Sequence, residues 1–268
     1  MNDLRGRAVL VTGGTAGIGL ATALRFAQAG AACTLTYRFG SADEDEVRAR
    51  FEALGAPEPQ LVQADVANDE DTDALLEAMR SRHDHVEVFV SNVSGALVTH
   101  SLEDYDRRGL MKSIEISAWP MVAYTRKIRA AFGRYPRYVI GMSSTGPDHF
   151  SVGYDFVAAS KSVMETFCRY MSYRLFDEDC RVNVIRSRSI VTEAFESTFG
   201  KEFYDFAMRL GREEHFLSPD DVAGVAFALA SGAMDAVSGQ VITVDKGTTF
   251  FDNLMRLWHE REALELTR

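Results

Sequence analysis

Cysteines, basic clusters and long apolar runs are all scarce in this sequence. Three cysteines stand among 268 residues, at wide spacing and without a CxxC pair, so we predict neither a disulfide framework nor a metal site. Acidic residues outnumber basic ones by 39 to 29, and no run of Lys or Arg is longer than a pair. Nucleic-acid binders usually carry a basic field, so a nucleic-acid partner is excluded.

The apolar stretches are too short to cross a membrane. The longest near-apolar segment, Val222 to Ala230, is far shorter than the ~20 residues that a spanning helix needs. Residues 1–7 lack the apolar core of a signal peptide. Together with cysteines that suit a reducing compartment, these features predict a cytoplasmic protein without a membrane partner.

The rest of the composition is that of a folded globular protein, with 46% hydrophobic and 25% charged residues. At ~150 residues per domain, the length allows roughly 1.8 domains. Apolar runs typical of strands buried on both faces lie at residues 8–11, 32–36, 61–64, 86–90, 138–142, 182–185 and 240–244. Helix-like segments alternate with them, at 17–30, 43–54, 69–82, 102–132, 155–177 and 218–231. This alternation predicts one doubly wound α/β domain over residues 1–248 and an extension over 249–268.

A glycine-rich turn follows the first predicted strand, with the sequence TGGTAGIG over residues 12–19. Such a turn between a strand and a helix lets backbone N–H groups approach a pyrophosphate. A P-loop would need Lys and Ser or Thr after Gly19, where the chain has Leu20 and Ala21. The register G-x-G-x-x-G also fails, whereas T-G-x-x-x-G-x-G fits, so we predict a dinucleotide site of that type.

Short motifs follow the later predicted strands. They are Asp65-Val66, Asn92-Val93-Ser94-Gly95, Ser143-Ser144, Ser160-Lys161 and Val244-Asp245-Lys246-Gly247. In this order, together with the glycine turn, they resemble the short-chain dehydrogenase/reductase family over nearly the whole chain. The resemblance implies a Rossmann-like single domain with helices on both faces of a parallel sheet, an NAD(P)H-dependent oxidoreductase, and a homo-dimer or homo-tetramer. In the extension, an apolar face of Leu254, Leu257 and Trp258 predicts a helix that contacts another subunit.

The resemblance also assigns cofactor-binding residues. They are Gly13, Thr15, Gly17, Ile18, Gly19, Asp65, Val66, Asn92, Ser94, Gly95, Lys161, Ile190 and Thr192. The second strand ends in Thr36-Tyr37-Arg38 without the carboxylate that would repel a 2′-phosphate. Arg38 and Ser41 would instead hold that phosphate, which favours NADPH. NADH stays an alternative, in which Arg38 is an exposed residue at a strand end.

The tyrosine nearest before Lys161 lies two helical turns away instead of one. Position 157, four residues before the lysine, is Val157, and Tyr154 completes the pattern Y-x6-K. Two turns return nearly to the same helix face, so both side chains can line one cleft. The pattern resembles enoyl-ACP reductase III, which implies that Tyr154 stabilises an enolate, Lys161 binds the nicotinamide ribose and Ser144 assists.

Three functions follow from this resemblance. The first is NADPH-dependent reduction of an enoyl thioester on CoA or an acyl carrier protein, where charge develops three bonds from the carbon that receives hydride. The second is a ketoreductase for a polyketide or secondary-metabolite carbonyl, with Tyr154 as proton donor. The third is a catalytically silent NADP-binding protein.

Several residues depart from the family pattern, and each has two readings. Glu115 replaces an Asn and either holds a water or pairs with Lys161, or else is structural. Arg186 and Arg188 stand in the segment where Pro-Gly is usual and either hold an acidic group of the substrate or pair with nearby glutamates. These glutamates are Glu193 and Glu196. His149 is a second donor or a structural residue, and the aromatic-rich segment 191–216 is a substrate lid or plain core.

Overall fold

The computed structural model describes residues 4–38, 43–95, 98–188, 190, 201–211 and 213–266. One parallel sheet has the strand order β3-β2-β1-β4-β5-β6-β7. Its strands are β1 (Ala8–Val11), β2 (Ala32–Tyr37), β3 (Gln60–Gln63), β4 (Val86–Ser91), β5 (Tyr138–Ser144), β6 (Arg181–Ser187) and β7 (Val241–Val244). Each adjacent pair is parallel, so the predicted doubly wound α/β class is confirmed.

The helices that connect these strands cover both faces of the sheet. They are α1 (Gly17–Gln28), α2 (Glu44–Ala53), α3 (Asp69–Arg80), α4 (Arg107–Ser117), α5 (Trp119–Phe132), α6 (Asp155–Arg174), α7 (Lys201–Gly211), α8 (Pro219–Ala230) and α9 (Asn253–His259). Short 3₁₀ turns lie at Leu102–Asp104, Glu213–His215 and Thr248–Phe250. Across the described ranges, no helix is both long and apolar enough to span a membrane.

The hydrophobic core has two halves, one on each face of the sheet. Val9 and Val11 of β1 point to the half that includes α1, α2 and α8, whereas Leu10 points to the half that includes α3, α5 and α6. All three side chains are fully buried. Because both faces are covered, these strands read as continuous apolar runs instead of alternating ones.

The single helix predicted over residues 102–132 is wrong. The structure has a 3₁₀ turn there, then α4 and α5, with Ala118 between the two helices. Pro120 stands in the first turn of α5, where its missing N–H costs no hydrogen bond, because the first N–H groups of a helix have no acceptor within it. A proline at this position therefore marks a helix start that hydrophobic periodicity alone does not reveal.

The strand order reverses direction between β1 and β4, which makes a crevice at the carboxyl ends of these two strands. There α1 approaches the turn after β1 very closely. A Cβ placed on Gly19 would stand 2.2 Å from the carbonyl oxygen of Gly13 and 2.7 Å from Nδ2 of Asn92. Glycine at position 19 is thus required by packing. Gly13 has φ +61°, a conformation that also favours glycine.

We expect Gly19→Ala to destabilise the protein by about 1–3 kcal/mol, because the added methyl group meets backbone that cannot move away cheaply. The matched control is Gly224→Ala in α8, where an added Cβ meets nothing within 4 Å. That change should stabilise by about 0.5–1 kcal/mol through helix propensity. Urea unfolding of both variants measures the two effects, and equal destabilisation would contradict the packing argument.

Candidate active site

Asn92 ties the end of β4 to the glycine turn after β1. Its Nδ2 donates to the carbonyl oxygens of Thr12 and Gly13, each at 3.1 Å. Its backbone N–H donates to Oγ1 of Thr12, also at 3.1 Å. These bonds fix the conformation of the turn from the neighbouring strand.

The glycine turn has the shape of an anion cradle. A Cβ on Gly17, the first residue of α1, would meet nothing within 4 Å, so the space above the turn is open. Ala16 precedes it as N-cap and offers no side-chain acceptor to the first N–H groups of the helix. The first N–H groups of a helix have no acceptor within it, and beside an open space they suit a pyrophosphate, so the residues present fit a dinucleotide. Thr15 is buried and Ile18 half-buried in this turn.

A cavity lies beside the turn, at the carboxyl ends of β1 to β4. It is lined by Gly13, Thr36, Tyr37, Arg38, Ala64, Asp65, Val66, Val93 and Ile116. At its rim, Nη2 of Arg38 lies 3.1 Å from Oδ2 of Asp65. The other oxygen of Asp65 accepts the N–H of Ala67 at 3.0 Å. Asp65 and Arg38, which the sequence predicts to bind the adenine and the 2′-phosphate of the cofactor, therefore line one cavity.

The remaining cofactor residues are less closely grouped. Ser94 is exposed, and Gly95 exchanges two 3.0 Å hydrogen bonds with the Ser117 hydroxyl of α4. Ile190 forms an isolated parallel bridge with Leu217. Ser41 and Thr192 lie outside the described residues, as do Glu193, Glu196 and the other lid residues from 191 to 200.

Tyr154 is the N-cap residue of α6 and lies against the loop that follows β5. Its ring occupies the space beside Gly146, where an added Cβ would come within 2.8 Å of Cδ1. Burial raises the pKa of Tyr154, and the neighbouring Ser144 hydroxyl opposes this with a smaller lowering effect. Oγ of Ser144 is buried and has no hydrogen-bond partner of good geometry in the described part of the chain. A neutral phenol beside an unused hydroxyl is a competent pair of hydrogen-bond donors.

Lys161 lies two turns further along α6, with a side chain that is 3% exposed. Its Nζ donates to the carbonyl oxygen of Met142 in β5 at 2.7 Å. Burial lowers the pKa of Lys161 to about 8, and the negative charge of Glu165 counteracts part of that effect. Tyr154 and Lys161 therefore both lie at the carboxyl end of β5, with the half-buried Val157 between them in the chain.

Glu115 and His149 are the two other polar candidates near this region. Glu115 is exposed and accepts a hydrogen bond from Lys112 at 2.8 Å, so its carboxylate is paired at the surface. His149 is half-buried, and its Nδ1 has no hydrogen-bond partner among the described residues. Neither residue joins Tyr154 and Lys161 through a bond in the structure.

Among the described residues, the two arginines at the end of β6 have partners that the sequence did not suggest. Arg186 pairs with Glu165 of α6 and with Asp148 of the loop before α6. Nη1 of Arg188 donates weakly to the carbonyl oxygen of Thr248 at 3.4 Å. Sequence reasoning missed Glu165, although its position four residues after Lys161 places both on one helix face.

Asp155, the residue after Tyr154, is a second feature that the sequence did not reveal. Its carboxylate accepts hydrogen bonds from the hydroxyls of Thr99 and Tyr105, both at 2.6 Å. These bonds hold the segment after β4 against the start of α6. The segment and the start of α6 together line a second cavity, to which Thr99, Tyr105 and Asp155 all contribute.

We expect Asn92→Ala to weaken nicotinamide-dinucleotide binding roughly tenfold, because the glycine turn loses its two side-chain hydrogen bonds. The matched control is Asn183→Ala. Asn183 is buried in β6 and also makes two backbone bonds, to Val237 at 2.8 Å and from Gln240 at 3.1 Å. Both variants should lose about 1–3 kcal/mol of stability, and Asn92→Ala alone should lose affinity in a fluorescence titration. Equal losses of affinity would show that the turn is not held by Asn92.

Comparison with known proteins gives consistent matches over most of the chain. The sequence family described as enoyl-(acyl carrier protein) reductase matches residues 13–249. A 3β-hydroxysteroid dehydrogenase of Eggerthella lenta is 30% identical over 261 residues, covering 93% of this chain and 96% of that protein. The NADH-dependent enoyl-(acyl-carrier-protein) reductase of Aquifex aeolicus is 25% identical, with 92% and 93% coverage.

Solved structures share the fold. A 7α-hydroxysteroid dehydrogenase complexed with NADH and 7-oxo glycochenodeoxycholic acid superposes with a TM-score of 0.79. It is 24% identical, and the match covers 91% of this chain and 94% of that one. At this identity the likeness speaks for the fold alone.

Proposed function

Since the chain belongs to the short-chain dehydrogenase/reductase family and is an NAD(P)H-dependent oxidoreductase, we propose that it reduces an α,β-unsaturated (enoyl) thioester with NADPH. The thioester would be carried by CoA or by an acyl carrier protein. The observation that supports this most is the placement of Tyr154 at the end of β5, two turns before Lys161, with Val157 at the intervening turn. The name of the Aquifex aeolicus relative, an enoyl-(acyl-carrier-protein) reductase, agrees with the proposal.

The cofactor would lie along the carboxyl ends of β1 to β6. The glycine turn would hold its pyrophosphate, Asp65 and Val66 its adenine, Arg38 and Ser41 its 2′-phosphate, and Lys161 its nicotinamide ribose. Ile190 and Thr192 would contact the carboxamide and the pyrophosphate. When bound, the nicotinamide supplies hydride to the substrate.

In this proposal Tyr154 stabilises the charge that develops on the substrate. Reduction at the β-carbon of an enoyl thioester places negative charge on the thioester oxygen, three bonds away. A preorganised donor must lie where that charge develops. Burial raises the pKa of Tyr154, so its phenol keeps the proton it needs to donate a hydrogen bond at neutral pH. Val157 offers no donor at the turn nearer Lys161.

We expect Tyr154→Phe to lower kcat for crotonyl-CoA by roughly 100-fold or more, because the developing oxyanion loses its donor. The control is Tyr170→Phe, which removes the hydroxyl of an exposed tyrosine on the same helix and should leave kcat unchanged. The measurement is NADPH oxidation followed by absorbance. An enzyme that turns over no enoyl thioester but reduces β-keto thioesters well would refute the proposal.

A ketoreductase is the second candidate, with Tyr154 donating its proton to an alkoxide. The 3β-hydroxysteroid dehydrogenase relative, whose name implies chemistry at a hydroxyl-bearing carbon, supports it. So does the Ser144 hydroxyl beside Tyr154, because two adjacent donors suit an oxyanion formed one bond from the hydride acceptor. Side-by-side rates with enoyl and β-keto thioesters separate the two candidates.

The preference for NADPH rests on Arg38. We expect Arg38→Ala to weaken NADPH binding by at least about tenfold and to leave NADH binding unchanged, since a charge-assisted pair with the 2′-phosphate is lost. Arg48→Ala in α2 is the control, because Arg48 pairs with Glu44 and Glu58. A wild-type protein that binds NADH more tightly than NADPH would contradict this assignment.

We further propose a cytoplasmic, homo-oligomeric enzyme. All three cysteines are free and buried, which suits a reducing compartment. Leu254 and Trp258 of α9 are both mostly exposed, which supports a subunit contact through the extension. An acidic carrier protein would have to dock on a local basic patch against the overall net charge of −10.

A further inference from the structure

A buried ion pair lies between α6 and the ends of β5 and β6. Glu165 of α6 is 4% exposed. Its carboxylate accepts hydrogen bonds from the Ser143 hydroxyl at 2.7 Å and from Nε of Arg186 at 2.9 Å, and Nη2 of Arg186 binds its second oxygen. Both oxygens of a buried carboxylate are thus fixed by side chains.

The sheet register explains why these groups meet. Ser143 and Arg186 are direct partners in the parallel pairing of β5 and β6, so their side chains emerge side by side on one face. Helix α6 packs on that face and presents Glu165 to both. Lys161 precedes Glu165 by four residues, which places the two side chains on neighbouring positions of one helix face.

The buried ammonium of Lys161 would be stabilised by a negative charge nearby. Its ammonium is buried, and its hydrogen bond in the structure goes to the neutral carbonyl of Met142. A buried charge without a counter-charge is strongly destabilising. Glu165 is the carboxylate that acts electrostatically on Lys161 in the described part of the chain.

The other charged groups around Lys161 are engaged elsewhere. From α4, Glu115 binds Lys112 at the surface. From the loop before α6, Asp148 binds Arg186, and at the start of α6 Asp155 is held by hydroxyls of the segment after β4. From α5, Lys127 is paired with Asp69 and Asp73 of α3.

We propose that Glu165 is a positioning residue of this enzyme: its buried carboxylate, fixed by Arg186 and Ser143, stabilises the buried ammonium of Lys161, which lies one turn earlier on the same face of α6. The electrostatic part of this proposal does not depend on the substrate. Its effect on turnover rests on the function proposed above. Arg186 has a further effect, because its bond to Asp148 anchors the loop that leads into Tyr154.

The direction of the expected effect follows from the charges. Burial lowers the pKa of Lys161 to about 8, and Glu165 keeps it from falling further. Without that carboxylate the lysine loses its proton at a lower pH and is neutral over more of the physiological range. Nicotinamide binding and turnover that need charged Lys161 should then fail at a lower pH.

The test is a direct titration of Lys161 by NMR. The chain has five lysines, so ε-carbon signals from labelled lysine are few, and Lys161→Arg identifies the one of interest. In the wild-type protein this signal should titrate near pH 8. In Glu165→Gln the midpoint should fall by about one pH unit or more, because an opposite charge nearby is lost.

The matched control is Glu115→Gln, which removes an exposed carboxylate from a helix that also packs against α6. It should leave the Lys161 midpoint unchanged. If Glu165→Gln does not fold, Glu165→Met combined with Arg186→Met replaces the pair by apolar groups of similar size. This double variant should show a smaller downward shift, because it removes the positive charge of Arg186 together with the carboxylate.

An unchanged Lys161 midpoint in both Glu165 variants overturns the proposal, as does an equal shift in Glu115→Gln. The pH dependence of NADPH binding gives the functional readout without a substrate. The pH above which NADPH affinity declines should fall together with the Lys161 midpoint in Glu165→Gln. If that pH does not change, Glu165 has a structural role only. Absence of enoyl turnover in the wild type would refute the proposed function and leave this result intact.

Discussion

The parallel order of the strands is the constraint on which every functional contact in this chain depends. Parallel strands bring their carboxyl ends to one edge, and the order reverses between β1 and β4. The glycine turn after β1, Asn92 after β4 and the end of β5 therefore meet, although they are far apart in the sequence. The cavity where Arg38 meets Asp65, which we propose to hold the adenosine end of the cofactor, follows from the pairing of β2 with β3.

Helix α6 is the second constraint, because three residues of the proposed site lie along it. Tyr154 caps its start, Lys161 is buried two turns on, and Glu165 lies one turn beyond. The register of β5 and β6 supplies the partners for the last of these, since Ser143 and Arg186 stand opposite each other. The proposed site residues Tyr154 and Lys161 and the buried Glu165–Arg186 ion pair are thus built from β5, β6 and α6.

The sequence predicts the fold well because its signal is local. Continuous apolar runs reveal buried parallel strands, and Ser218 followed by Pro219 marks the start of α8, where the structure has a capping box. The helix over 102–132 was wrong because apolar periodicity continues across Pro120. The interpretation of the glycine turn needed only residues that are adjacent in the chain.

The partners of charged residues were not predictable in the same way. Glu115 was a candidate partner for Lys161, but it faces the surface and binds Lys112. Arg186 was expected to reach a substrate or nearby glutamates, yet it binds Glu165, which is 21 residues away in the chain. Such pairs depend on strand register and on which helix face packs inward, and neither can be read from one segment. The four-residue spacing from Lys161 to Glu165 in α6 was the one local signal that the two side chains share a helix face.

The central claim is that Tyr154 serves an oxygen three bonds from the carbon that receives hydride. A crystal structure with NADP⁺ and an unreactive enoyl-thioester analogue tests it most directly. The account predicts the Tyr154 hydroxyl at about 2.6–3.2 Å from the thioester carbonyl oxygen, with the β-carbon of the analogue facing the nicotinamide. A Tyr154 hydroxyl beyond hydrogen-bond reach of that oxygen, or a thioester carbonyl carbon in the position of the β-carbon, would contradict it.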